Sequence, residues 1–218
     1  LIRWFHPKKG FISPGVFIPA LEDSGHISEL DLYVLDSVNK FQKKCYQSDK
    51  ITVPVSTNLS WMDFYDEKIM NWLERKCADT SIPSGLSRME ITETSYAAIE
   101  ADRSATLEAL REAGILLLLD DFGSGYSSFG MLQNYNFDIM KIDMSFVRQI
   151  ETNTKTRSII RFIIEMAHTM DIKIIAEGAE TKEQVEFLRD NGCDYIQGYY
   201  FYKPMPEEEF VKLLDAGR

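Results

Sequence analysis

Oxygen-bearing side chains recur along this 218-residue chain at positions that could work together: Asn58, Glu90, Asp120, Asp121 and Glu177, with Lys141 among them. The first five offer only oxygen, the donor atom that hard divalent cations such as Mg2+ and Mn2+ prefer. Carboxylates gathered round one opening can hold two such ions bridged by an Asp, which activates a water and stabilises the leaving oxygen of a phosphodiester. Lys141 would then position the water or steady charge developing on phosphate. A different chemistry for that lysine is a Schiff base with a carbonyl substrate, as in an aldolase-like barrel. Surrounding carboxylates oppose it, because they raise an ammonium's pKa and withhold the free amine.

The densest signal runs from Ile115 to Ser128. Ile115 to Leu119 is an unbroken aliphatic run that reads as a strand buried on both faces. It stops on Asp120-Asp121, a pair that is unfavourable unless positive charge lies beside it. Gly123 and Gly125 follow, and glycines let a loop lie close against a ligand or move over it. Each residue also has a plainer reading. Asp120-Asp121 could close a solvated turn, and Asn58 could form a turn after its strand. Glu90 could face solvent in the alternating Met89-Glu90-Ile91-Thr92-Glu93, and Lys141 could pair with Asp143 or Asp120. Glu177 and Glu180 could be acids at a helix start, and Gln197 could satisfy backbone groups. Joint placement round one opening separates the two readings.

The elements that would position these groups alternate. Leu1 to Phe5 reads as the end of a strand, and the absence of an initiator Met implies residues upstream. Ser13-Pro14 starts a helix that stops at Gly25, and a second helix runs from about Ser28 through Leu32, Leu35, Val38 and Phe41. Strands are expected over Ile51–Leu59, Arg88–Thr92, Ile115–Asp120, Asp138–Asp143, Ile172–Ala176 and Asp194–Gly198. Helices are expected over Asp66–Cys77, Arg103–Ala113 and Arg157–Met170, the last with Ile159, Ile160, Ile163 and Met166 on its apolar face. Thr181 and Gln184 form a capping box for the next helix, and a last one starts at Pro206. Such alternation implies parallel strands with helical crossovers. Asn58, Glu90, Asp120, Lys141, Glu177 and Gln197 fall at or near the C-terminal ends of successive strands. An open doubly wound sheet gathers ligands at one switch point, whereas a barrel brings every strand end to one mouth. The barrel is the better match. Six strands and the stub at Leu1–Trp4 make seven, one short of the eight in a barrel of about 250 residues.

Composition bounds the function. Lys and Arg total 24 against 34 Asp and Glu, a net charge of −10, which argues against binding a nucleic-acid polymer. An anionic substrate would need metal ions or local cations to hold it. Cys45, Cys77 and Cys193 lack metal-site spacing and read as free thiols in a reducing cytoplasm. His6, His26 and His168 form no zinc-like cluster. Apolar runs are too short to cross a bilayer, and no cleavable signal is visible, so no membrane contact is expected. No linker or low-complexity tract interrupts the chain, and residues 1–218 read as one domain.

The same residues fall into ordered motifs: Asn58-Leu59-Ser60, Glu90-Ile91-Thr92-Glu93, Asp120-Asp121-Phe122-Gly123-Ser124-Gly125, Lys141-Ile142-Asp143, Glu177-Gly178-Ala179-Glu180 and Gln197-Gly198-Tyr199. Together they resemble the EAL-domain cyclic-di-GMP phosphodiesterase family over essentially the whole chain. The resemblance implies an α/β fold, a modified TIM-type (β/α) barrel lacking its first strand in this N-terminally truncated chain. It implies hydrolysis of cyclic-di-GMP to linear pGpG with two Mg2+ or Mn2+ ions. It places Asn58, Glu90, Asp120, Asp121 and Glu177 on metal and makes Lys141, Asp120 and Glu177 catalytic. Arg3 would contact a substrate phosphate, Pro19 would line a guanine, and Gln197 would lie close to the metal centre. Glu93 would anchor the loop of Gly123 and Gly125, which couples catalysis to dimerisation. The implied partners are cyclic-di-GMP, a second copy in a homodimer, and a fused sensor or diguanylate cyclase domain. The implied setting is the cytoplasm, alone or as the cytoplasmic part of a larger protein.

Departures from the family pattern are few. The signature Glu-Ala-Leu would put its leucine at Leu1 and its glutamate, a further metal ligand, two residues before the chain begins. Ser124 stands for the usual Thr and Ala179 for the usual Val. Tyr202 occupies a place where a small residue is common, beside one guanine. With the signature glutamate outside it, the chain as given would be weak or inactive; the alternative is a non-catalytic cyclic-di-GMP receptor, against which the retention of every visible ligand speaks.

Overall fold

The structure, a computed structural model, describes residues 2–48, 52–99, 104–123, 132 and 136–216. Leu1, Ile51, Arg103, Ser124 and Gly125 of the sequence reading lie outside the described residues. In chain order the elements are β1 (Trp4–His6), β2 (Gly10–Ile12), α1 (Pro14–Asp23), α2 (Ile27–Gln47), β3 (Val55–Asn58), a 3-10 turn (Trp61–Tyr65) and α3 (Glu67–Cys77). Next come β4 (Ser87–Thr92), α4 (Glu93–Ala98), α5 (Ser104–Glu112), β5 (Leu116–Phe122), β6 (Ile139–Ile142) and α6 (Met144–Val147). The last elements are α7 (Thr154–Thr169), β7 (Lys173–Ala176), α8 (Lys182–Asp190), β8 (Tyr195–Ile196) and α9 (Glu207–Ala216).

The larger sheet has the order β3-β4-β5-β6-β7-β8, the order of the chain itself. A doubly wound sheet would reverse direction at a switch point, so this sequential winding is that of a (β/α) barrel. The pairs β5–β6, β6–β7 and β7–β8 are parallel. Internal packing divides the chain into two units. The first comprises Leu1–Met89, Ile99–Ile115 and Pro204–Arg218, and the second Glu90–Ala98 and Leu116–Lys203.

In the first unit, local chemistry sets the helix ends. Ser13 is extended and Pro14 occupies the first helical turn of α1, where its fixed φ suits the helix and its missing N–H is not needed. The Asp66 carboxylate accepts the N–H groups of Lys68 and Ile69 at the start of α3, satisfying donors that a helix start leaves open. The opening residues differ from expectation. Trp4–His6 is no strand of the parallel sheet but pairs antiparallel with Gly10–Ile12 in a two-stranded ribbon. The His6 ring nitrogen accepts the N–H groups of Lys8 and Lys9, so the chain turns back at once, and Trp4 and Phe5 remain exposed. Among the described residues the larger sheet therefore has six strands rather than seven.

In this unit lies a carboxyl pair, Asp31 and Asp63, with Ser28, Glu22 and Asp66 nearby. Asp63 is fully buried and accepts the Ser60 N–H at 2.8 Å. Burial, then the charge of Asp63, pushes the Asp31 carboxyl up to about 8, and burial also raises Asp63. A carboxyl raised on folding contributes stability below its ordinary range that is lost as pH rises through its folded value. Asp31→Asn is therefore expected to leave melting near pH 4 unchanged. At pH 9 it should raise the melting temperature by about 2–4 °C for each kcal/mol of relieved repulsion. Melting curves of both proteins across that range check it.

The second unit is built on strands buried on both faces. Leu117, Leu118 and Leu119 of β5, the whole of β6, and Ile174, Ile175 and Ala176 of β7 are buried, as in a parallel sheet covered by helices. Leu118, Ile139 and Ile175 share one cluster; burying such a side chain contributes about 2 kcal/mol. Helix α7 covers the sheet with Ile160, Ile163, Ile164 and Ala167. Ile159, expected on that face, instead points outward and is 45% exposed. At 100° per residue it lies off the arc set by 160, 163, 164 and 167. Thr181 and Gln184 form the expected capping box of α8. Among the described residues no helix is long and apolar enough to cross a membrane, and no disulfide joins Cys45, Cys77 or Cys193.

Candidate metal centre

Parallel strands present their C-terminal ends at one edge, so a polar residue at each end brings the groups together. In the second unit these are Glu90 on β4, Asp120 and Asp121 on β5, Lys141 on β6, and Glu177 directly after β7. Lys141 is the hub. Its ammonium lies 2.9 Å from Glu90 Oε2, 2.8 Å from Asp120 Oδ1 and 2.8 Å from Glu177 Oε1. Three donors thus meet three acids, and the lysine side chain is 6% exposed. The ion pair expected as one plainer role of Lys141 forms with Asp120 and not with Asp143. Asp143 instead accepts the Ser145 N–H at the start of α6.

A strand normally sends neighbouring side chains to opposite faces, which would separate Asp120 from Asp121. The structure avoids that. Leu119 pairs with Met140 and Phe122 with Ile142, so two residues of β5 stand against Lys141 alone. This is a β-bulge, which re-aims side chains locally. Asp121 takes a φ of 55° there, a left-handed conformation that Asp tolerates better than most residues, and its N–H donates to Asp120 Oδ1 at 2.9 Å. The strand, expected to stop at Asp120, consequently runs on to Phe122. Asp120, Asp121 and Glu177 each bring a carboxylate oxygen to within 4.8 Å of the others.

Electrostatics explain what the cluster needs. Burial works against the Lys141 ammonium, but Glu90, Asp120 and Glu177 outweigh it and hold the group above its usual range. It stays a cation, which removes the amine nucleophile that a Schiff base requires. Burial pushes Glu177 up, with Asp120 and Glu90 adding to the effect and Lys141 opposing it. Burial also raises Asp121, followed by the charges of Asp120 and Asp143. Four carboxylates around one ammonium leave negative charge in excess. An all-oxygen set carrying that excess fits a hard divalent cation.

The remaining predicted residues are placed as follows. Glu93 begins α4, is buried, and its Oε1 accepts the Gly123 N–H at 3.2 Å. Gly125 lies outside the described residues. Gln197 is exposed and falls just past β8, which spans Tyr195–Ile196 and not the Asp194–Gly198 expected. Backbone bonds tie it to the Glu177 loop, from its N–H to Ala176 O and from the Ala179 N–H to its own O. Asn58 is the exposed last residue of β3, Pro19 lies exposed inside α1, and Arg3 precedes β1 with its guanidinium on Ile2 O; these three belong to the first unit. Sequence reasoning missed the bulge and Phe146, whose ring lies against Gly123. No local pattern signals either.

Comparison with known proteins agrees with this geometry. Residues 1–204 match the model of the EAL domain family. The chain is 32% identical over 218 residues to the cyclic di-GMP phosphodiesterase NbdA of Pseudomonas aeruginosa, covering 100% of this chain and 28% of that protein. It thus spans little more than a quarter of that relative's length. Among solved structures, the EAL enzyme Bd1971, in a form with cAMP and cyclic-di-GMP bound, superposes with a TM-score of 0.89 at 29% identity, over 97% of this chain and 58% of that one. The PaMucR phosphodiesterase in complex with c-di-GMP superposes at 0.83 with 30% identity, over 96% and 85% respectively. Sequential strand winding, an acid-rich centre at the strand ends and these matches across nearly the whole chain agree: the protein belongs to the EAL domain family.

Proposed function

We propose that this domain hydrolyses cyclic-di-GMP to linear pGpG. The observation that carries the reading is the group of Asp120, Asp121 and Glu177 within 4.8 Å, beside a lysine that is held charged. Asp120, Asp121 and Glu177, with Glu90, would hold two Mg2+ or Mn2+ ions, which when bound supply Lewis-acid activation of water and neutralise phosphate charge. Lys141, whose three N–H donors meet Glu90, Asp120 and Glu177, would release one of these acids to orient the attacking water, and its charge offsets charge on the phosphate oxygens. The reaction adds the water oxygen to phosphorus and breaks the P–O3′ bond. The net products carry OH on phosphorus and H on the 3′ oxygen. Gln197 borders the centre. Glu93 anchors Gly123, and through this anchor the centre is related to a homodimer partner. The domain works in the cytoplasm as part of a larger signalling protein.

Incubating the intact protein with cyclic-di-GMP and Mg2+ or Mn2+ is expected to yield pGpG, and excess EDTA to stop it. Turnover that persists in EDTA would overturn the metal assignment. Tight binding of cyclic-di-GMP without turnover would replace the hydrolase by a receptor.

A further inference from the structure

We propose that Phe146 is a positioning residue for the acid centre: its ring seats the Asp120–Gly123 segment, while the first residue of the same turn walls off the Glu177 loop. This rests on the metal-dependent reading of the site. Helix α6 follows β6 directly, so it continues the strand that carries Lys141. Asp143 caps it through the Ser145 N–H, and Val147 and Ile150 anchor it with no exposed surface. The strands on either side of β6 are β5 and β7, and α6 meets the loop that leaves each of them.

Both contacts are close. Gly123 has a φ of +94°, and a Cβ there would lie 2.5 Å from Phe146 Cε2 and 2.9 Å from Cζ. Gly178, at +73°, would place a Cβ 2.5 Å from the Cβ of Met144. Neither glycine could take a side chain without displacing this turn or twisting its own backbone out of a conformation that other residues resist. The two contacts differ in kind. Met144 acts through its Cβ, which most substitutions keep, whereas Phe146 acts through the ring itself. One rigid piece, β6 with α6, therefore carries the ammonium and sets how near the carboxylates of both neighbouring loops come to it. Glu93 holds Gly123 from one partner group, and Phe146 supplies the packing surface.

Removing the ring should loosen the acids without unfolding the sheet. Supporting groups of this kind alter metal affinity by about 10–100-fold. Phe146→Ala is expected to weaken Mn2+ binding, followed by electron paramagnetic resonance, by about tenfold. It should speed amide hydrogen exchange at Gly123 by a similar factor and lower kcat while leaving KM nearly unchanged. Phe146→Leu, which keeps most of the bulk, should recover both readouts. If Phe146→Ala does not fold, Phe146→Leu and Phe146→Val must show graded losses of Mn2+ affinity at constant melting temperature. Unchanged Mn2+ affinity and Gly123 exchange in the folded variants would overturn the proposal. So would losses that merely track global stability. Wild-type protein that binds no Mn2+ would instead sink the metal reading, and the Gly123 exchange rate would still decide whether Phe146 seats the loop.

Discussion

Asparagine in place of Asp120 is expected to lower cyclic-di-GMP hydrolysis by about 100- to 1,000-fold, the scale seen when one preorganised electrostatic group is lost from a reaction centre. Asp120 has two tasks in the structure. It pairs with Lys141 at 2.8 Å, and it belongs to the trio of carboxylates within 4.8 Å. The amide keeps the shape and can still accept from the lysine, so the fold should survive. What disappears is a negative charge at the point where Asp121 and Glu177 converge. Steady-state assays over a range of Mn2+ concentrations, with melting curves as the control for folding, check the claim. Activity within tenfold of wild type at saturating Mn2+ would mean that Asp120 is not part of the working centre.

Methionine at Lys141 should have the larger structural effect. It removes one cation from among Glu90, Asp120 and Glu177, whose side chains are 13%, 12% and 19% exposed. Deleting one partner of a buried ion pair destabilises by about 3–5 kcal/mol, because the charges left behind are unpaired. In metal-free buffer the variant should therefore melt far below wild type. Added Mn2+ should restore part of the difference, since an ion that binds only the folded state stabilises it by mass action. Turnover should stay low even then, because the ion does not replace the N–H that the wild-type lysine would turn from one of its acids to the attacking water. The pH dependence has a definite sign. Lys141 is held above its ordinary range, so its ion pairs are present below that range and are lost only as pH rises through the higher folded value. Between pH 6 and 9 the lysine stays charged, and any alkaline loss of activity in that window must come from another group. A Lys141→Met protein as stable as wild type without metal would contradict this account.

How far the chain announces its own fold can be judged residue by residue. The capping box of Thr181 and Gln184, the Ser13-Pro14 helix start and the aliphatic run ahead of Asp120 all depend on neighbours within about one turn or one strand. Each was legible. So was the placement of Glu90, Lys141 and Glu177 near strand ends, which follows from a β-α period that local residues enforce. Ile159 departs from expectation because a helix in isolation shows an apolar arc but not which edge of the arc the sheet will cover. Trp4–His6 departs from expectation for a related reason. A short apolar run looks the same in a sheet and in a ribbon, and the distinction lies in what it pairs with.

Residue order alone dictates which atoms this protein brings to its chemistry: oxygen donors and one lysine, at the ends of successive strands in a sequentially wound α/β sheet. Their mutual aim is set by contacts between distant parts of the chain. The bulge at Asp120-Asp121 sets two adjacent carboxylates against one residue of β6, Lys141 gathers acids that lie 51, 21 and 36 positions away in the chain, and Phe146 closes on Gly123. The reason is physical. Caps and periodicity are short-range preferences, whereas a register shift or a three-way ion pair is settled by strands that meet only after the chain has folded.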